Sequence, residues 1–213
     1  MRNRSVLIGL LANVFLVCFT AATLYPVLMV LSTALSTGSP GLASSPIPEG
    51  ASLQNFRDVV TTTDMAGHWL FARQLFNSIV VAVATTALGV VLACTAAYAF
   101  SRFTFPGRRA GLTGLLVTQM FPGVVMAIPL YILLDNLHLL NSLTGLVLVY
   151  STTAVPFCVF MLKGYFDTIP RELEEAAWID GASRFGMFWR IVLPLSKPAL
   201  AVTALFSFMT AWN

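Results

Sequence analysis

The sequence predicts an all-α fold, a polytopic bundle of membrane-crossing helices. Three observations carry that expectation. Hydrophobic residues make up 57% of the 213 and charged residues only 10%, where soluble domains carry about 25% charged residues. The mean hydropathy is +0.82. The charges are also clustered, with no Asp, Glu, Lys or Arg from Ser5 to Pro48, Gln74 to Ser101, Ala110 to Leu134, or Asn136 to Leu162. Each gap accommodates the ~20 apolar residues that a helix needs to cross ~30 Å of hydrocarbon.

Spans are expected at about Val6–Ser32, Leu75–Phe100, Gly111–Leu134, Leu143–Leu162 and from Ala199 onward. Arg2 and Arg4 precede the first run as they would in a secretory signal. The run continues past Ala21 and Ala22 to Val30, however, beyond a signal h-region of about 7–15 residues, so an uncleaved anchor is expected. The fifth run, from Pro198 to Asn213, would rise only ~24 Å at ~1.5 Å per residue. It would also leave a terminal carboxylate at membrane depth, which is costly. The expectation is a chain truncated within its fifth span.

Charge placement orients the spans. With the N-terminus in the cytoplasm, the inner segments hold Arg2, Arg4, Arg102, Arg108, Arg109, Lys163, Arg171, Arg184, Arg190 and Lys197, and the outer ones only Arg57 and Arg73. That asymmetry is the one expected of a multi-pass plasma-membrane protein. The chain then divides into residues 1–74, a span with an external loop, and residues 75–213, a core carrying a cytoplasmic loop at 163–198. The outer loop from Thr33 to Arg73 is rich in Gly, Ser, Pro and Thr and too polar to span. It could cover a pore mouth, touch an external partner or be a plain surface. His68 and His138 are expected at the interface. Cys18, Cys94 and Cys158 fall inside apolar runs without metal-ligand spacing and are expected as packing residues.

The loop 163–198 is the informative stretch. Pro170 suits a first helical turn, Asp167 or Thr168 can cap it, and Glu172 and Glu174 complement the helix dipole. Leu173, Ala176, Ala177 and Asp180 share a face at helical spacing. Gly181 ends this helix and Ser183 caps a second, on which Phe185, Phe188, Trp189 and Val192 share a face until Pro194 breaks it. Periodicity leaves two readings open, a hairpin lying flat on lipid or one presented to a partner's groove.

The particular residues separate them. Glu175-Ala176-Ala177, three residues, Gly181, nine residues, then Ile191-x-Leu193-Pro194 resembles the Glu-Ala-Ala loop of the permeases of binding-protein-dependent ABC importers. Asn77-Ser78, the run Ala97 to Arg102, Gln119-Met120-Phe121-Pro122 and Lys163-Gly164-Tyr165-Phe166 are similar to the carbohydrate-type permeases, and most of all to the smaller permease of maltose-type systems. The resemblance implies a fold of the ABC importer permease type with six spans, of which five are seen here. It implies an inner-membrane subunit that moves sugars or oligosaccharides delivered by an external solute-binding protein. It implies a second permease subunit and a cytoplasmic ABC ATPase dimer as partners. Glu175, Ala176, Ala177, Gly181, Leu193 and Pro194 would then seat on the ATPase and transmit force. Peptide and amino acid permeases share the loop and remain the alternative.

Other chemistries fit poorly. No phosphate-binding Gly-x-x-x-x-Gly-Lys-Ser/Thr loop occurs, so no nucleotide cofactor is expected on this chain and ATP is expected to be hydrolysed by a partner. The spans lack the ionisable groups of an ion-coupled secondary transporter. No Gly-x-Ser-x-Gly elbow suggests a hydrolase. No catalytic or metal-binding residues, and no nucleic-acid partner, are expected; the surrounding partner is lipid. Pro26, Pro122, Pro129 and Pro156 can bend the spans, and glycines 89, 111, 114, 123 and 145 can admit close helix approach. Gln119, Asn77 and Thr118 are polar enough to contact a sugar, and Phe121 or Tyr131 could stack on one; helix packing explains them equally well.

Overall fold

A computed structural model describes residues 2–37, 46–48 and 50–212, with residues 2–6 by backbone alone. Among the described residues the regular structure is helical, with turns and loops between the helices and isolated bridges at Ser36–Ala51 and Thr63–Trp69. It divides into two compact units, Met1–Gln74 and Leu75–Asn213.

In the first unit, α1 (Arg2–Leu35) exposes every side chain from Leu7 to Leu28. A helix that is apolar on all sides belongs in lipid or a large core. The segment after it, expected as an external loop, is partly helical. It contains a short helix, α2 (Gln54–Thr61), whose Asn55 amide donates to the carbonyls of Ala34 and Ser36 at 3.1 Å each. The Ser52 N–H reaches the Leu35 carbonyl at 2.8 Å. The last carbonyls of α1, which have no partner within the helix, are therefore satisfied from outside it. Residues 38–45 and 49 of this loop lie outside the described residues. Beyond α2, the Asp64 carboxylate accepts from the Ala66 and His68 N–H groups at 3.0 and 2.9 Å and pairs with Arg73 at 3.2 Å. These contacts, led by the His68 N–H, hold its pKa below the ordinary carboxylate value. The Trp69 indole N–H donates to the Val60 carbonyl.

The second unit is built on α3 (Leu70–Arg102), which starts in the first, and on α6 (Leu143–Thr168). Small residues of α3, Ala93, Cys94 and Ala97, meet Cys158, Val159, Leu162 and Phe166 of α6. Phe188 and Val192 close that core from below. Among the described residues three helices, Leu7–Leu35, Leu70–Arg102 and Leu143–Thr168, are long and apolar enough to cross a membrane.

Among the described residues two further apolar stretches are helix pairs bent at a short break. The expected continuous helix over Gly111–Leu134 is instead α4 (Arg108–Met120) and α5 (Gly123–Asn136), joined at 104°. Phe121 is extended (φ −77°, ψ 127°), as steric clash with a following proline demands, and Pro122 has no N–H to continue the ladder. Pro129 lies inside α5, which runs through it. The other pair turns by 79° at Ser196, where the helical stretch Arg184–Leu195 meets α10 (Lys197–Ala211).

Of the glycines expected to admit neighbours, an added Cβ at Gly89 would lie 3.1 Å from the Ser207 hydroxyl, and one at Gly111 would lie 3.2 Å from the Phe100 ring. At Gly145 a Cβ would collide with the Leu139 carbonyl, because Ser142 caps α6 and folds the α5–α6 loop against that turn. Gly114 and Gly123 face open space and serve no close contact within this chain.

Candidate functional site

The hairpin at 171–196 is anchored by a polar network where α3 and α6 end. The helix α7 (Glu172–Ile179) follows Arg171 without a side-chain cap. Asp167 and Thr168 do not cap it, contrary to expectation, because α6 extends through both. Asp167 is instead held by Lys163 one turn back, at 2.6 Å, and by the Ser101 hydroxyl at 2.6 Å. Pro170 stands in the connection just before α7 rather than in its first turn.

The centre of the network is an ion pair that sequence reasoning missed. Glu174 points back toward α3, where Arg102 donates to it at 2.5 Å and the Tyr98 hydroxyl at 2.9 Å. The two charged side chains are only 6% and 11% exposed. Arg102 also donates to the Ile169 carbonyl at 3.0 Å and to Ser101 at 3.2 Å, and Arg171 donates to the Ser101 carbonyl at 3.1 Å. The hydrogen-bonding capacity of both charges is thus largely met, which a buried pair requires. A clue existed in the run Tyr98 to Arg102, but nothing local ties it to Glu174, 72 residues on from Arg102.

The turn of the hairpin follows the expected chemistry. The Ala182 N–H reaches the Ala177 carbonyl and the Gly181 N–H that of Trp178, each at 2.9 Å, with Gly181 left-handed at φ 84°. This double bond pattern is a Schellman cap, for which glycine is the least strained residue. Ser183 then caps α8 (Arg184–Met187), accepting from the Gly186 N–H at 3.1 Å.

The second helix departs from expectation in two ways. Pro194 does not break it. A π-helical turn (Phe188–Val192) leads directly into α9 (Leu193–Leu195), and the chain turns only at Ser196. The wider turn, with its i→i+5 bonds, also divides the expected apolar face. Phe188 and Val192 are buried, with Phe188 packed on Tyr98 at 4.8 Å between ring centroids. Phe185 and Trp189 stack on each other in the open, 72% and 62% exposed. The Arg184 guanidinium lies over both the Phe103 and Trp178 rings, at 5.2 and 5.1 Å, linking α8 to α7 and to the end of α3.

The six residues singled out in the sequence fall into two groups. Glu175, Ala176 and Gly181 are exposed on α7 and its turn, with Ala177 half-buried behind them. Leu193 and Pro194 lie at the hairpin's base, where Leu193 packs against the core and Pro194 is exposed. Around the first group stand Trp178, 60% exposed, and Ile179, 88% exposed. Such bare aromatic and aliphatic side chains, on a hairpin held firmly from behind, form a surface that other molecules can grip.

These features define a multi-pass membrane protein that can be gripped through a hairpin outside its spans. The family model for the inner membrane component of binding-protein-dependent transport systems matches residues 87–213, and the chain belongs to that family. It is 33% identical over 203 residues to the diacetylchitobiose uptake system permease protein DasC of Streptomyces coelicolor, covering 94% of this chain and 71% of that one. It is 35% identical to the trehalose transport system permease protein SugB of Mycobacterium tuberculosis, covering 89% and 67%. The crystal structure of a bacterial ABC transporter that imports the acidic polysaccharide alginate matches with a TM-score of 0.80 and 26% identity, over 97% of this chain and 71% of that one. The relatives are transport permeases rather than enzymes, and the protein is a multi-pass component of the inner membrane.

Proposed function

We propose that this chain is a transmembrane permease subunit of an ATP-driven importer of sugars or oligosaccharides. An external solute-binding protein delivers the sugar, and a second permease subunit completes the pathway. A cytoplasmic ABC ATPase dimer docks on the α7–α8 hairpin and hydrolyses the ATP. Glu175, Ala176, Ala177 and Gly181 form the docking face, and Leu193 and Pro194 carry its motion to α10.

The observation that carries this reading is the bare hairpin tied to α3 by the buried Arg102–Glu174 pair. A push on α7 has a stiff route to a membrane helix, which force transmission requires. The sugar assignment is supported by the relatives above, two of which are named for disaccharide uptake. Deleting the gene in its source organism and following labelled sugars, amino acids and peptides tests it. Loss of uptake of one sugar is expected. Loss of peptide or amino acid uptake with every sugar unaffected would refute the sugar assignment.

A further inference from the structure

We propose that α2 lies flat in the membrane interface on the side away from the N-terminus, its apolar face set into lipid, whatever solute the protein carries. At ~3.6 residues per turn, Phe56, Val59 and Val60 fall on one side of α2, and Leu53 precedes them on the same side. Gln54, Asp58 and Thr61 occupy the opposite side, with Arg57 at one edge and Asn55 at the other. No side chain of α2 is buried, and Leu53, Phe56, Val59 and Val60 are all exposed. A bare apolar stripe within an otherwise polar segment calls for a cover.

The position of α2 decides what covers it. The apolar length of α1, Leu7–Leu35, is 29 residues. At ~1.5 Å each that rises ~43 Å, which matches the ~40–45 Å of a bilayer with its headgroups. The far end of α1 therefore stands at headgroup level, and α2 is tied to that end. Asn55 donates to the Ala34 and Ser36 carbonyls, and the Ser52 N–H to that of Leu35. Just past the other end of α2, the Thr62 carbonyl accepts from the Leu70 N–H at 3.1 Å, where α3 begins. So α2 is pinned between the end of one membrane-crossing helix and the start of the next. An amphipathic helix at that level sinks its apolar face ~5–10 Å into the boundary of headgroups and acyl chains.

The chemistry of the helix fits the same cover. Hydrocarbon offers no hydrogen bonds, so a helix laid on it must meet its own needs. The Gln54 amide donates to Asp58 at 2.6 Å and the Thr61 hydroxyl to the Arg57 carbonyl at 2.8 Å. The last carbonyls, which have no partner along the helix, are met as well. That of Asp58 accepts from the Thr62 hydroxyl at 2.6 Å, that of Val59 from the Thr62 N–H at 3.4 Å, and that of Val60 from the Trp69 indole. Trp69 is itself half exposed beside α2, the placement of a residue in an interfacial aromatic belt. Arg57 and Asp58 cancel in charge, so the contact rests on apolar burial and not on attraction to anionic headgroups.

The test uses the complete importer with its partner subunits, reconstituted in phosphatidylcholine vesicles. Phe56→Cys, Val59→Cys, Gln54→Cys and Thr61→Cys are made singly and spin-labelled, with every other cysteine of the importer, Cys18, Cys94 and Cys158 included, changed to Ala. Collisions of each label with oxygen, which partitions into lipid, are compared with those of a water-soluble nickel chelate. Oxygen should dominate at positions 56 and 59 and nickel at 54 and 61. That reversal should survive high salt and need no phosphatidylglycerol. Nickel dominance on both faces would overturn the proposal. Exclusion of both reagents at 56 and 59 would also overturn it, by showing that protein covers the face. A reversal that appears only with phosphatidylglycerol and vanishes in salt would refute an apolar contact. Should the cysteine-free importer fail to assemble, benzoylphenylalanine in place of Phe56 in the otherwise unaltered importer keeps the proposal falsifiable. On illumination in native membranes it should cross-link to phospholipid, and cross-linking to a polypeptide instead would overturn the lipid assignment.

Discussion

Replacing Glu174 by Ala tests whether the hairpin is held from within. In the parent, Arg102 is 6% exposed and pairs with Glu174 at 2.5 Å, with Tyr98 on the second carboxylate oxygen. An ion pair on the surface would contribute about 0–1 kcal/mol. Breaking a buried pair from one side costs about 3–5 kcal/mol, because the remaining charge stays desolvated. Arg102 would keep its bonds to Ile169 and Ser101, and Asp167 on the other side of Ser101 offsets part of the orphaned charge. The cost is therefore placed near the low end, about 3 kcal/mol. The assay is hydrogen exchange of the α7 amides in the purified importer, which reads the free energy of local opening. Protection should fall by roughly a hundredfold, ~3 kcal/mol at ~1.4 kcal/mol per decade. Glu174→Gln, which keeps the shape, should fall between. A loss below about tenfold in Glu174→Ala would place the pair in the exposed regime and refute the reasoning.

Three further outcomes follow from the geometry. Gly181 sits at φ 84° with nothing within 4 Å of a built Cβ, so its substitution costs backbone strain alone. Alanine should lose about 1 kcal/mol, asparagine less, and ATPase co-purifying with the chain should decline in the order Gly, Asn, Ala; an order independent of φ preference would contradict this. Gly145→Ala drives a Cβ into the Leu139 carbonyl and should destabilise the α5–α6 junction by about 1–3 kcal/mol, seen as a lowered Tm, with an unchanged Tm as the contrary result. Asp64 has a folded pKa below its unfolded value, so its contribution is full above the unfolded pKa and is lost as pH falls through the folded one. With Trp178, Trp189 and Trp212 changed to Phe and His68 to Gln, so that no imidazole titrates beside the reporter, Trp69 fluorescence should be flat near neutrality and shift only below about pH 4; a transition centred higher would contradict the sign.

Much of this fold is legible in the sequence because membrane spans are written in an absence of charge, which needs no knowledge of neighbours. The caps at Gly181 and Ser183 are equally local, each set by two or three residues. What escapes a linear reading is of two kinds. The corner at Phe121–Pro122 and the π-helical turn at Phe188–Val192 carry the same composition as an ordinary kink and an ordinary helix. A proline in a membrane helix signals only that a bend is allowed, and neighbouring helices decide its size. The Arg102–Glu174 and Ser101–Asp167 contacts join residues 72 and 66 apart, and no spacing rule reaches that far. Glu174 and Glu175 adjoin in sequence, yet one is turned into the protein and the other to solvent. The resemblance drew attention to Glu175, while burial identifies Glu174.

The right-angled corner between α4 and α5 also bears on how the chain enters the membrane. With 13 and 14 residues, each arm rises about 20 Å, short of the ~30 Å hydrocarbon thickness. Neither arm is long enough to cross by itself, and the carbonyls freed at the break need a partner from protein or from a water-filled cavity. One brace beside the break, the Gln119 amide N–H donating to the Thr153 carbonyl, needs α6, which the ribosome makes later. During synthesis this corner therefore lacks that brace until α6 arrives.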